Sequence, residues 1–290
     1  FDDGPAMVEV LRFPGAPFVL DDARATAGQR ALRLLHLVAG VSYYKAAVPG
    51  EIRIDGYAID ADTAALLESL YLHGLGEFAY RNGLDLHGRI KFPVSFPLPS
   101  VGEGGTATGS SGRAGEGESL GLREHALVAI GGGKDSLVSI EALRELGVEQ
   151  TVTWIGGSQL IAACAARTGL PTLNLGRQLA PQLFEFNRQG AWNGHIPVTA
   201  VNSAILVFAA VLLGYDQVVF SNERSASYGS IIPGTGEVNH QWSKGWQFES
   251  AFGDYVQRNI AADLRYYSLL RPLSELAVAR QFAKSDRYDA

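Results

Sequence analysis

Cysteine, methionine and positive charge are all scarce in this chain of 290 residues. The single cysteine, Cys164, has no partner for an internal disulfide, so a reducing, cytoplasmic setting is expected. It lies in IAACAARTG, a small-residue helical stretch, and reads as a core residue rather than a nucleophile. Thirty acidic residues against twenty-four basic ones leave a formal charge of −6. Such a balance repels a nucleic acid backbone unless the basic residues share one face, and no Lys/Arg run gathers them. No nucleic acid partner is therefore expected. The most apolar run, AILVFAAVLLG at 204 to 214, falls well short of the roughly 20 residues that span a bilayer. It reads as a buried helix, and no membrane partner is expected. Four of the six histidines, His36, His73, His87 and His125, have no neighbour at metal-ligand spacing, which argues against a zinc site. No cleavable signal is visible, and a chain that opens on Phe1 and stops at SDRYDA is open to being a fragment.

What is present divides into three stretches. Residues 1–98 alternate in MVEVLRF and EIRIDGY as strands do, and carry apolar residues at helical spacing in GQRALRLLHLVAG and ADTAALLESLYLHGLGEFAYRNG. Asp60 or Asp62 can cap the second helix, with Leu66, Leu67, Leu70 and Tyr71 as its inward stripe. A smaller α+β N-terminal domain follows from that order. Residues 99–120 pass from proline into Gly, Ser, Thr and Glu with almost nothing to bury, the composition of a flexible linker. From 121 to 290 strands and helices alternate: ALVAI, DSLVSIEALRELG, TVTWIGG, SQLIAACAARTG, PTLNLG, PVTAVNSAILVFAAVLLGY, QVVFSNE. Alternation of this kind predicts an open parallel sheet in an α/β fold, with ligands at the carboxyl ends of its strands.

One turn in that series is rich in glycine. ALVAI runs into Gly131, Gly132 and Gly133, then Lys134-Asp135-Ser136 opens a helix. Close approach of backbone N–H groups to an anion leaves no room for side chains, and a helix N-terminus adds positive potential. A P-loop of the Walker A kind fails here, because Val128 stands where its first glycine belongs and Asp135 follows the lysine. A dinucleotide fingerprint fails too, with Ser136 in place of its last glycine and no acid ending the second strand. The turn resembles the Ser-Gly-Gly-x-Asp-Ser loop of the PP-loop ATP pyrophosphatases at every position but the first. That resemblance implies a PP-loop, adenine nucleotide α-hydrolase-like sheet that binds ATP and Mg²⁺. The backbone amides and Ser136 would hold the β and γ phosphates, Asp135 would position the metal, and Lys134 would offset developing charge. Trp154 and Ile155, ending the second strand, suit an adenine ring.

A second constellation lies downstream. In VVFSNERSAS an apolar strand ends in Asn222, Glu223, Arg224, Ser225 and Ser227, at the edge where ligands bind. EVNHQWSKGWQFE then sets Asn239, His240, Ser243, Lys244 and Glu249 among Trp242, Trp246 and Phe248. Any one of these ionic residues alone reads as a surface charge or an ion pair, but their density makes the group a candidate site. His195, in WNGHIPVTAVNS at a helix entrance, suits a phosphate or carboxylate contact, or packing and capping.

With GGGKDSLVSIEALR, SNERSAS and VNHQWSK, and with LRLLHLVAGVSYYKAAVP and GLGEFAYRNGL before them, the chain is similar to the MurL-type epimerases. The likeness covers nearly everything except residues 99–120, and members of that family continue beyond residue 290. It implies epimerisation of the terminal L-glutamate of UDP-N-acetylmuramoyl-L-alanyl-L-glutamate, in peptidoglycan precursor synthesis, through an acyl adenylate. Asp135, Glu223, Arg224, His240, Lys244 and Glu249 are then the catalytic candidates, with Arg224 and Lys244 also fitted to clamp carboxylate or phosphate. His195, Asn222, Ser225, Ser227, Asn239 and Ser243 are the substrate-binding candidates. Another adenylating ligase, a tRNA-modifying enzyme and a non-catalytic ATP sensor remain alternatives at this point.

Overall fold

The structure is a computed structural model that describes residues 4–94, 117–232 and 236–288. Its elements run β1 (Val10–Arg12), α1 (Asp22–Ala39), α2 (Val41–Ala47), α3 (Ala61–Gly74), α4 (Gly76–Asn82), β2 (Arg123–Ala129), α5 (Lys134–Glu145), β3 (Gln150–Ile155) and α6 (Gln159–Arg167). They continue with β4 (Thr172–Gln178), α7 (Pro181–Arg188), α8 (Val198–Leu213), β5 (Tyr215–Phe220), β6 (Ser230–Ile232), β7 (Gly236–Val238), α9 (Trp246–Asn259), β8 (Arg265–Ser268) and α10 (Glu275–Phe282).

Six strands form one open sheet in the order β1-β4-β3-β2-β5-β8. Every pairing is parallel except that of β1 with β4. The α/β sheet expected from the sequence is therefore present, with an antiparallel strand added at its edge. Period-two alternation decides which helices each strand meets. Ala126 and Val128 of β2 and Val219 of β5 pack toward α5 and α6, while Leu127, Val218 and Phe220 pack toward α1, α8 and α9. Helix α8 is apolar on nearly all sides because it lies between the sheet and α1, the position a helix of that composition needs. Its final carbonyls, Val211 O and Leu212 O, accept from the guanidinium of Arg24 at 3.0 and 2.8 Å.

The first stretch differs from its expected form in two places: the helix expected over ADTAALLESLYLHGLGEFAYRNG is broken at Leu75 into α3 and α4, and a second expected strand is missing. EIRIDGY forms no strand: Ile52, Ile54 and Tyr57 rest against the core while Glu51, Arg53 and Asp55 face out. Alternation sorts side chains to two faces and cannot by itself supply a partner strand. Asp60 caps α3 by accepting from Thr63 N at 2.7 Å, and Leu66, Leu67, Leu70 and Tyr71 are buried as expected. One continuous core joins the helices before residue 94 to α8, α9 and β8. Most of the expected linker at 99–120 lies outside the described residues. Its last residues are held by Asp263, which accepts from Ser119 Oγ and Leu120 N at 3.2 and 2.9 Å.

The strand order carries the functional consequence. From β2 the chain steps outward through α5, β3 and α6 to β4, with both helices on one face. It then returns through α8 to β5, on the other side of β2, and through α9 to β8, with these helices on the opposite face. The direction of winding reverses between β2 and β5, so a crevice opens at their carboxyl ends.

Candidate active site in the crevice between two strands

The residues that leave β2 and β5 form the two lips of this crevice. On the first lip, Ile130 N continues the ladder to Thr153 O at 2.9 Å, and the three glycines follow. Gly132 has φ +80°, a conformation that a side chain disfavours. A Cβ on Gly131 or Gly133 would meet nothing within 4 Å, so glycine at these two positions keeps space above the turn empty. Gly133 is the N-cap of α5 and contributes no side-chain acceptor, which leaves the first-turn N–H groups open to an anion.

The charged triplet surrounds that opening. Lys134 Nζ lies 3.2 Å from Asp135 Oδ1 and 3.5 Å from Glu275 Oε1. The hydrogen bond to Asp135 is the largest cause raising the lysine pKa above its ordinary value, so the ammonium stays charged. Ser136 is buried and its hydroxyl donates to Gly133 O at 3.0 Å, so reaching a phosphate requires a turn of its χ1. Among the described residues no three His, Cys, Asp or Glu side chains converge as a metal cage. A Mg²⁺ ion here would depend on Asp135 and on ligand oxygens, the usual arrangement for magnesium on phosphates. Trp154 and Ile155 end β3 on opposite faces, Trp154 toward α5 and α6 and Ile155 toward the α8 side. The Trp154 Nε1–H is buried without a partner among the described residues.

The second lip is built by a residue the sequence reading did not single out. Arg271, just past β8, is 13% exposed and donates from Nη2 to Glu249 Oε2 at 2.5 Å and to Lys244 O at 2.6 Å. Its Nη1 donates to Glu223 O at 2.9 Å and to Ser227 Oγ at 3.3 Å. One guanidinium therefore ties the SNERSAS segment, the NHQWSK segment and α9 together. Glu249, only 4% exposed, is held by Arg271 and accepts from Ser268 N at 3.1 Å. It stands beneath the lip as an anchor, with no oxygen left open toward the crevice.

Other members of the second constellation sit around this hub. Asn222 Nδ2 donates to Ser268 Oγ at 3.0 Å. Glu223 caps the 3₁₀ turn at 224–227, accepting from Ser225 N at 2.7 Å and from Ser225 Oγ. Arg224 is exposed, its own N–H bonded to Leu273 O at 3.0 Å and its guanidinium without a partner among the described residues. Asn239 orders the turn before Lys244 by accepting from Gln241 N at 2.8 Å. Ser243 is buried. Ser221, directly after β5, has a buried Oγ with no partner among the described residues.

His195 belongs to the same neighbourhood. Its ring lies 6.1 Å from that of His240, edge to face. Burial is the first cause lowering its pKa, the Glu77 carboxylate opposes this, and the His240 and Lys244 charges lower it further. Pro197, rather than His195, is the N-cap of α8. The loop carrying His195 is pinned by Lys45, which is 5% exposed and donates to Asn193 Oδ1 at 2.5 Å. Arg271 and Lys45 left no contiguous motif of charged or polar residues in the sequence, and Ser221 opens SNERSAS without being singled out there. The only available signal for Arg271 was its position after the short aromatic strand RYYS.

Residues 1–269 match the family model for the MurL N-terminal domain. Across all 290 residues the chain is 74% identical to the UDP-N-acetyl-alpha-D-muramoyl-L-alanyl-L-glutamate epimerase of Xanthomonas oryzae pv. oryzae, of which it covers 61%. It is 40% identical, over 99% of its length, to the protein of the same name from Salinispora tropica, of which it covers 60%. The chain thus spans about three fifths of the length of these curated relatives. A solved structure of a predicted subunit of tRNA methyltransferase from Methanocaldococcus jannaschii aligns with 56% of this chain and 75% of its own, at 14% identity and a TM-score of 0.36.

Proposed function

The chain belongs to the MurL family, and from that premise we propose that it activates and inverts the terminal L-glutamate of UDP-N-acetylmuramoyl-L-alanyl-L-glutamate at the expense of ATP. The observation that carries this reading is the reversal of winding between β2 and β5, which makes the glycine turn and the SNERSAS segment two lips of one crevice. An anion-binding turn and a cluster of acid-base side chains then serve a single reaction.

The α-proton beside a carboxylate is very hard to remove, because the resulting dianion has nowhere to spread its charge. Activation removes that obstacle. The α-carboxylate oxygen attacks the α-phosphorus of ATP, and the bond to pyrophosphate breaks. The open N-terminus of α5 holds the departing phosphates, Lys134 offsets their charge, and Asp135 is the carboxylate for Mg²⁺. When bound, the metal supplies further charge neutralisation on the phosphate oxygens. In the acyl adenylate the α-carbon is acidic enough for a side-chain base, with the electron pair delocalised into the acyl carbonyl.

Glu249 is engaged by Arg271 and Glu223 by Ser225, so His195, His240 and Lys244 are the groups best suited to move the α-proton. His195, kept neutral by burial, suits the base. A proton returned to the opposite face gives the D-glutamyl centre, and water at the acyl carbonyl then releases AMP. Inversion is nearly neutral in free energy, and ATP cleavage drives it one way. Arg224, whose guanidinium has no partner among the described residues, suits a substrate carboxylate.

The test is incubation of the protein with ATP, Mg²⁺ and the UDP-linked dipeptide, followed by assay of pyrophosphate and of glutamate chirality. The expected result is pyrophosphate together with D-glutamate. Pyrophosphate without D-glutamate would indicate a ligase, and neither product from the intact protein would indicate a nucleotide sensor.

A further inference from the structure

A second opening lies on the other side of the SNERSAS segment from the glycine turn. It is a cleft of about 650 Å³ between α3 and α4 and the segment from β7 to the start of α9. That volume is within the roughly 300–1,000 Å³ typical of small-molecule sites. Tyr80, Asp85 and His87 line one wall, and Ser227, Asn239 and Trp246 the other.

The two walls differ in how their aromatic rings are used. Trp242 is buried, with His73 stacked on it at 5.4 Å between centroids and 27° between planes, and its Nε1–H donates to Gln247 Oε1 at 3.1 Å. It forms a closed floor. Trp246 and Tyr80 remain 56% and 46% exposed across the cleft. Large aromatic surfaces facing a concavity are typical of sites that stack a planar ring. Polar groups sit at the same mouth. Asp85 Oδ1 accepts from His87 N and from its ring Nδ1, at 2.9 and 2.8 Å, and holds the carboxylate at the rim as an acceptor for hydroxyl groups.

Charge and topology narrow the occupant. None of the described lining residues is Lys or Arg, so the cleft suits an uncharged ring with hydroxyls rather than a phosphate. None comes from the β2–α5 turn or from β3, and α5 packs on the opposite face of the sheet, so this is not a place for the base of ATP. Gly245 and Ser227 do line it, and they adjoin Lys244 and the 3₁₀ turn of Arg224. Cations thus lie at the exit, where a phosphate attached to such a ring would emerge. Ser227 Oγ also accepts from Trp246 N at 3.1 Å and from Arg271 Nη1 at 3.3 Å, which joins the cleft to the hub of the second lip.

We propose that this cleft holds the uridine of the substrate, with the pyrimidine ring against Trp246 and Tyr80, the ribose hydroxyls toward Asp85, and the diphosphate leading toward Lys244 and Arg224. The inference rests on the reading that the substrate is UDP-linked, and it gives the helices before residue 94 a direct part in recognition. The experiment is calorimetric titration of the protein with UMP in saturating ATP and Mg²⁺. One UMP is expected to bind per chain without displacement by ATP. Trp246→Ala is expected to weaken it about tenfold, in keeping with the loss of one stacked base, while Trp246→Phe stays within about threefold. Competition between UMP and ATP, or equal affinity in wild type and Trp246→Ala, would overturn the assignment. UMP binding that Trp246→Ala weakens, with no D-glutamate formed, would sink the proposed reaction and leave the uridine cleft standing. D-glutamate formation with an unchanged KM for the UDP-linked substrate in Trp246→Ala would sink the cleft alone.

Discussion

The two lips of the crevice solve the problem of holding charge in opposite ways. The glycine turn relies on main-chain N–H groups, an uncapped helix start and empty space where side chains would be. The lip after β5 relies on side chains, and its central cation is spent internally: Arg271 satisfies Glu249, Glu223 O, Ser227 and Lys244 O at once. A backbone site can be written in a few consecutive residues, because its donors are contiguous in the chain. A side-chain site needs a scaffold drawn from several elements, and the side chains of Arg224, His240, Lys244 and His195 stand outside the contacts of the Arg271 guanidinium.

That contrast can be broken at its strongest point first. Arg271→Ala leaves a carboxylate that is 4% exposed without its cation, and a loss of about 3–5 kcal/mol in urea unfolding is expected. A stability within error of wild type would show that the second lip does not depend on this hub. Next, Asp135→Asn removes charge from a side chain that is 40% exposed, so folding should persist while pyrophosphate release falls about 10²–10³-fold. Release at the wild-type rate would remove Asp135 from the proposed role of metal carboxylate. The glycines then divide by mechanism. Gly132→Ala should cost about 1–2 kcal/mol of stability because of its positive φ, whereas Gly131→Ala and Gly133→Ala should melt like wild type and still lose ATP affinity. Unaltered ATP affinity in all three would mean that the empty space is not a ligand's.

The smallest effect is that of pH on His195. Burial holds its folded pKa below the ordinary 6.5, so the folded protein resists a proton that the unfolded chain accepts. Its contribution to stability is therefore complete above pH 6.5 and lost as pH falls through the folded pKa. Proton-transfer activity that uses the neutral ring should decline over the same interval. An NMR titration of the His195 ring checks the direction, and a midpoint above 6.5 would reverse it.

The same contrast explains what could be read from sequence. The turn at 131–136, the cap at Asp60 and the buried helix at 204–214 are local patterns, and each is present in the structure. SNERSAS and NHQWSK were visible as dense polar segments, but their convergence was not, because it depends on Arg271 and on a four-residue strand, β8, too short to announce itself. The strand order that makes one crevice of two segments is likewise a property of the fold. EIRIDGY illustrates the reverse case, in which a clear alternation formed no strand.

The most direct test of the account follows one oxygen. If the crevice joins the substrate carboxylate to AMP, a UDP-linked dipeptide carrying ¹⁸O in the α-carboxylate of its glutamate should yield ¹⁸O-labelled AMP as D-glutamate forms, because water opens the acyl adenylate at carbon. Formation of D-glutamate with unlabelled AMP, or with ADP in its place, would contradict the account.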